Sequence, residues 1–452
     1  MTTLRNLFIT CLLALPLILF ADNGIYPIGW GAKSRGIGGA AVAYAQDTFG
    51  AIANPAGLTD LDNRIDGAFG YIYHTQKLRV FNWSPLAVSF GSRDALYPIN
   101  GSRNAILGEF GACLRITECI TAGLLFTPQA GGVNIVQGAV PAILPPGASL
   151  SHHQKERVYY AALTPCIAFR FCEDFSFGIG VDFTGAAVNA KNFQSISQGV
   201  LGSLFVNNGT AHPNHVSNKG WDWAWGCAAR LGFLWHVFPS WSFGASYRTK
   251  TFMSRFKRYE GLISPQGRAD LPEILSFGLA YRPFCGTTLA FDYCRIYNHC
   301  APAFGNKTDI IFVDPTTFVV TLLNPHGANN GSAFGWKNRN VYKVGICQDW
   351  GDCTFRVGYN YSKSPIPRTN GTLSSGFIPA AVEQFLTLGG TWAYSPCTEF
   401  SFAYVHGFKH TVKGFVGKVF PAEIEAQFLT GKTNSNITAR SDFLEFQMSW
   451  FF

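Results

Sequence analysis

The feature that most constrains this chain is an alternation of period two that recurs along almost its whole length. In Phe175-Ser-Phe-Gly-Ile-Gly-Val-Asp-Phe183 every odd position carries a large apolar side chain, and Ser176, Gly178, Gly180 and Asp182 fill the even ones. Successive side chains of a strand point to opposite faces, so this is a β-strand with one greasy face and one small or polar face. The same pattern appears in Trp241–Tyr247, Phe355–Tyr361, Phe400–Tyr404 and Leu444–Phe452. A soluble sandwich also alternates, but it turns a charged face to water. Here only 14% of the 452 residues are charged, against about a quarter in ordinary soluble domains. After Phe20 no run of about 18 uncharged apolar residues exists, which excludes spanning helices, and 15% aromatic residues exclude disorder. Large and aromatic outward with small and polar inward is the pattern of a membrane barrel.

The connections carry the same message. The alternating segments number about fourteen, near 65–75, 104–116, 119–128, 156–171, 174–188, 221–236, 240–257, 273–282, 287–298, 339–349, 353–363, 384–394, 398–410 and 441–452. Tight turns at Thr117-Glu118, Glu173, Phe238–Ser240, Pro283–Gly286, Trp350–Asp352 and Pro396-Cys397 alternate with long connections at 76–103, 129–155, 189–220, 258–272, 299–338, 364–383 and 411–440. Short turns on one side and long loops on the other are what outer-membrane barrels show, and an even count returns both ends to the periplasmic side. The expected fold is an all-β, 14-stranded antiparallel transmembrane β-barrel.

Residues 1–21 have the layout of a secretory signal peptide, with Arg5, an apolar stretch Leu7–Phe20 and Ala21 before Asp22-Asn23-Gly24. Removing them takes away Arg5 and no acid, so the net charge of +8 falls to +7. No run of four basic residues exists, so nucleic acid is not an expected partner; anionic lipid or an acidic ligand fits better. Eleven cysteines remain after Cys11 leaves with the signal. No C-x-x-C or zinc spacing occurs, so no metal or other cofactor is expected. Disulfides are the default reading for an exported chain, with Cys113/Cys119 and Cys347/Cys353 flanking hairpin turns as candidate bridges, and unpaired thiols as the alternative. The odd number also permits disulfide links to other envelope proteins.

Residues 22–62 are not strand-like. They are small and compact, with an Ala-rich stretch suited to a short helix and a stop at Asn54-Pro55. A segment of this kind ahead of a barrel suggests an N-terminal hatch folded inside the lumen, giving three parts: signal peptide 1–21, hatch 22–62 and barrel 63–452. Within the hatch segment stand Gly36-x-Gly-Gly-Ala-x-Val-Ala43, Asp47 and Asn54-Pro-Ala-Gly-Leu58; further on come Asp270-Leu-Pro-Glu-Ile274, Trp336-Lys337, Phe355-Arg-Val-Gly-Tyr359 followed by Ser364-Pro-Ile-Pro367, and the terminal Phe452. By these motifs the chain resembles the FadL/TodX family of outer-membrane transporters of long-chain fatty acids and aromatic hydrocarbons, with Phe452 matching the family's assembly signal.

The resemblance implies a monomer in which a hydrophobic ligand is captured by loops, enters a lumenal apolar pocket and leaves laterally into the outer-membrane lipid. Asn54, Pro55, Ala56 and Gly57 are then gate residues of the hatch, and Lys337 is a lumen-side base near a ligand carboxylate, with Lys191 a looser match. The 129–155 connection, with Val136, Ile143 and Leu144, offers apolar residues for capture. Gly123 and Pro128 make a kink in the third strand plausible, and with it a lateral opening. The expected ligand is a fatty acid or aromatic hydrocarbon, and no enzyme is expected, since no Gly-x-Ser-x-Gly elbow is present. Two rivals stand beside this reading: a general porin, and a cysteine-crosslinked structural or adhesive envelope protein.

Overall fold

The computed structural model describes residues 23–83, 93–99, 104–136, 154–193, 206–207, 209–308, 311–313, 320–369, 375, 378, 380–415 and 434–452. The expected signal peptide lies outside them. Fourteen long strands form the wall: β1 Arg64–Trp83, β2 Asn104–Thr117, β3 Ile120–Val136, β4 Gln154–Cys172, β5 Phe175–Lys191, β6 Asp222–Phe238, β7 Trp241–Arg248, β8 Glu273–Tyr281, β9 Thr287–Tyr297, β10 Arg339–Trp350, β11 Cys353–Ser362, β12 Gln384–Ser395, β13 Thr398–Phe415 and β14 Asn434–Phe451. Each pairs antiparallel with its chain neighbours, and β1 pairs with β14 from Arg64↔Phe451 to Phe81↔Asn434, which closes the barrel. Closure leaves no terminal strand unpaired, the condition for a sheet to cross lipid.

The parity read from the sequence sets the two faces. Along β10, Tyr342, Val344, Ile346 and Trp350 are exposed, while Val341, Lys343 and Cys347 are buried. Exposed Trp235, Trp241, Trp350, Trp392 and Trp450 lie toward the short turns, and exposed Tyr71, Tyr73, Tyr342 and Tyr404 toward the loops. These are the two aromatic girdles of a barrel, with aliphatic residues between them.

Several strands run past the expected ends. β1, β3, β13 and β14 continue into stretches expected as loops, and Val136 closes β3, paired with Gln154 on β4 and Ile99 in the short strand Arg93–Ile99. Beyond the lipid the outward face turns polar, as at Lys77, Arg79, Asn434 and Asn436, while Leu78 and Ile437 stay buried inward, so the greasy-outward parity is lost while the ladder continues.

The expected cysteine bridges do not form: all eleven mature cysteines are free thiols. Register is the reason. Cys113 lies opposite Gly123 and Cys347 opposite Arg356, whereas Cys119 sits in the turn and Cys353 faces Trp350. Six residues of spacing across a hairpin leaves neither pair facing.

Candidate functional site

Residues 23–63 precede β1 and lie within the lumen against inward-facing side chains of the wall. The expected helix in the Ala-rich stretch is absent; the helices are α1 Ala32–Gly36 and α2 Gly50–Ala53. The wall overrides helix propensity here. Ala41 and Val42 donate their backbone N–H groups to Asp292 Oδ2 on β9 at 2.8 and 3.1 Å, and Lys343 on β10 donates to Gly39 O at 2.9 Å.

Buried charges moor α1. Arg35 pairs with Glu445 on β14 and, at 2.6 Å, with Glu109 on β2, whose Oε2 also accepts from Gly31 N at 2.7 Å. Gln447 accepts from Ala32 N at 2.7 Å and donates to Asp47 Oδ2 at 3.0 Å. Lys33 and Arg64 share Glu399 on β13. Asp47, 1% exposed, lies near Asp66, Lys33 and Arg64. Burial, with the Asp66 carboxylate adding to it, pushes its carboxyl up to about 6.

Of the four residues expected as a gate, Asn54, Pro55 and Ala56 lie against the wall at β5 and β6, and Gly57 packs on Ala45. Asn54 ends α2; its Nδ2 donates to Val42 O at 2.7 Å and to Phe233 O on β6 at 2.8 Å, and its Oδ1 accepts from Ala56 N at 3.1 Å. Pro55 opens the 3-10 turn Pro55–Asp60. The wall is stripped to backbone where this segment passes: a Cβ added at Gly178 on β5 would stand 2.3 Å from Ala56 N.

On the loop side of the hatch, a cavity of about 50 Å³ is lined by Tyr26, Trp30, Ile274, Ile296 and Val341 together with Arg230, Arg248 and Lys343. Arg230 and Arg248 both grip Asp182, at 2.6 and 2.7 Å, and Arg248 donates to the Tyr26 hydroxyl at 2.7 Å. A cavity that holds one benzene ring is about 150 Å³, so this cavity, with the hatch docked, is too small for a hydrocarbon.

Beside this cavity the wall is broken. The β2–β3 ladder ends at Phe110↔Phe126, and among the described residues no ladder pair joins Asn104–Glu109 to Thr127–Ile135. β3 also shifts register against β4 between Pro128 and Ala130. Trp30 of the hatch donates to the freed Pro128 carbonyl at 2.9 Å, while Gln129, in the shift, donates to Thr127 Oγ1 at 2.8 Å. Gly123 lies below the break, where an added Cβ would meet Leu58 at 2.9 Å.

The structure does not bring the two expected lysines to the cavity. Lys337 is exposed, its carbonyl accepting from Asn298 and its N–H donating to Pro365 O. Trp336 beside it is the buried member of the motif, donating to Ser375 Oγ at 3.0 Å. Lys191 ends β5 exposed, opposite Lys155. Ile143 and Leu144 lie outside the described residues. The bases at the cavity are Arg230, Arg248 and Lys343, which share inward parity with small residues such as Gly232, Ser246 and Gly345; a charge at such a position is the signal that marks them.

With this geometry in view, the chain can be set against known proteins. A family model described as outer membrane protein transport protein (OMPP1/FadL/TodX) matches residues 29–270, more than half of the chain. The chain belongs to the FadL/TodX family. It is an outer-membrane transport channel for hydrophobic compounds and not an enzyme. No curated protein sequence matches it. Its fold is similar to the P. putida toluene transporter TodX (17% identity, TM-score 0.63, covering 94% of this chain and 99% of that one). It is similar also to the Ralstonia pickettii toluene transporter TbuX (15%, 0.59, 94% and 99%) and to a Pseudomonas aeruginosa FadL homologue (13%, 0.62, 96% and 99%).

Proposed function

We propose that this FadL/TodX protein moves long-chain fatty acids passively from the loop side into the cavity and out sideways through the β2–β3 break. The observation that carries the reading is that break, placed beside a cavity that the hatch and the wall line with both apolar and basic side chains. Exposed Lys337 and the apolar 129–155 connection make first contact with the ligand. Asn54–Gly57 hold the hatch shut on the wall, and Trp30 fills the break from inside. Displacing the hatch frees Lys343 from Gly39 O, and its ammonium then faces the ligand carboxylate, a charge-assisted contact that a neutral hydrocarbon lacks. Gly123 and Pro128 bound the opening through which the alkyl chain reaches lipid.

The test is uptake of a labelled long-chain fatty acid, a neutral aromatic hydrocarbon and a small sugar by cells that lack their own outer-membrane fatty-acid transporter. Fatty-acid uptake without sugar flux is expected, with Lys343→Gln lowering fatty-acid uptake about tenfold and leaving the hydrocarbon arm unchanged. Sugar flux without fatty-acid uptake would make the protein a porin. Equal weakening of both apolar ligands would remove the head-group role.

A further inference from the structure

The exterior of β1, β13 and β14 changes character from the barrel's middle toward the loops. Across these three strands the first outward row is Phe69, Phe446 and Phe402, and the next is Tyr71, Leu444 and Tyr404. Then come Tyr73, Asp442 and His406, with the Tyr404 hydroxyl and His406 Nδ1 both on Asp442 Oδ1 at 2.8 and 2.7 Å. Above that row the surface is basic. Arg440 faces Thr75 and reaches Asp442 at 3.2 Å; Lys77 faces Thr438; Arg79 faces Asn436, which faces Lys413 on its other side. Exposed Lys409 sits in the irregularity between Gly407 and His410.

Five cations thus crowd three adjacent strands, interleaved with the neutral hydrogen-bonding side chains Thr75, Thr411, Asn436 and Thr438. Among the described residues, Arg440 meets the acid Asp442, which it shares with His406. With strands about 4.8 Å apart and about 6.8 Å between successive outward residues, the basic area measures roughly 10 by 14 Å. It begins directly above the tyrosine girdle, on the long-loop side, at the depth where lipid head groups start. Soluble proteins also carry basic patches, but this one is continuous with a lipid-facing aromatic wall, so what meets it must hold acyl chains below and anionic groups above.

We infer that this face binds the phosphorylated glycolipid of the outer leaflet, lipopolysaccharide, with its phosphates held by Lys77, Arg79, Lys413 and Arg440 and its acyl chains against Phe69, Phe402 and Phe446. Arg and Lys both favour phosphate oxygens, Arg in bidentate fashion. The site lies on the outer wall and is independent of the lumenal pathway.

The experiment uses the full chain purified in detergent and a fluorescent bisphosphorylated lipid A. The variant is Lys77→Gln/Arg79→Gln/Lys413→Gln; Lys257→Gln, an exposed lysine in the β7–β8 connection, is the control. Each removed charge weakens contact with an anionic head group about fivefold, so the triple variant is expected to bind about 100-fold more weakly, with the control unchanged. On the unaltered protein, dephosphorylated lipid A is expected to bind poorly, and inorganic phosphate at millimolar levels not to displace the glycolipid. These two arms need no variant and stand even if the triple variant fails to fold. Equal binding by the triple variant, equal binding of the dephosphorylated lipid, or displacement by phosphate alone would each overturn the assignment.

Discussion

At the scale of single residues, the hatch is held by buried charges, and such pairs are costly to break singly. Arg35 lies between Glu109 and Glu445, whose side chains are 1% and 0% exposed. Arg35→Met would leave two carboxylates buried without their cation, a loss of roughly 3–5 kcal/mol, felt by the docked hatch rather than by the wall. Frequent openings of the variant in a planar bilayer are expected where the unaltered protein stays shut; a silent trace from both would show that Arg35 is not a mooring. Asp47 gives the hatch a dependence on pH. Its carboxyl keeps a proton up to about 6 when docked and gives it up near 3.8 when hydrated. The docked form therefore gains from protonation: the contribution is complete below 3.8 and is lost as pH rises through 6. The difference of about two units is on the order of 3 kcal/mol. Openings should be more frequent at pH 7.5 than at pH 5, and Asp47→Asn should flatten the dependence. A profile of opposite slope would contradict the assignment.

At the scale of elements, β3 is the strand whose irregularity matters most. Its register shift at Gln129 lets it leave β2 and expose the Pro128 carbonyl to Trp30. Deleting Gln129 should restore regular pairing to β4 and seal the break. Fatty-acid uptake should then fall at least tenfold, while the heat-sensitive gel migration of the folded barrel is unchanged; full uptake by the deletion would rule out the break as the exit. Gly123 and Pro128 made a kink legible in the sequence, because one lacks a side chain to pack and the other lacks an N–H for the ladder. The neighbour that stabilises the freed carbonyl was not legible, since Trp30 is 98 residues away. The hatch shows the same limit. Gly178 and its neighbours announced a small inward face, but not that Pro55 and Ala56 rest on it. Likewise Ala40–Ala45 read as helix-forming, and Asp292 and Asn54, far along the chain or across a turn, hold them in an irregular path instead.

At the scale of the whole molecule, what alternation and turn spacing could establish was the number of strands and the side each face takes, because both are set by local sterics and by the contrast between lipid and lumen. Closure of β1 on β14 joins residues almost four hundred positions apart, and it follows from the count only once the absence of exposed edges in lipid is required. The cysteines show where composition misleads at this scale. An exported chain rich in cysteine reads as disulfide-bonded, but in a barrel the hydrogen-bonded ladder already fixes which residues face each other, and that register sets Cys113 and Cys347 against Gly123 and Arg356. The wall's stability therefore rests on the ladder, the lipid-facing belt and the buried contacts of the lumen, with no disulfide among the described cysteines. A single native bridge typically contributes about 2–4 kcal/mol, enough to move an unfolding midpoint by several degrees. The unfolding midpoint of the folded barrel in detergent should accordingly be the same, within about 1 °C, with and without a strong reductant. Thiol titration of the denatured mature chain should find all eleven cysteines. A midpoint that drops on reduction, or a titration two thiols short, would show a bridge that the register forbids.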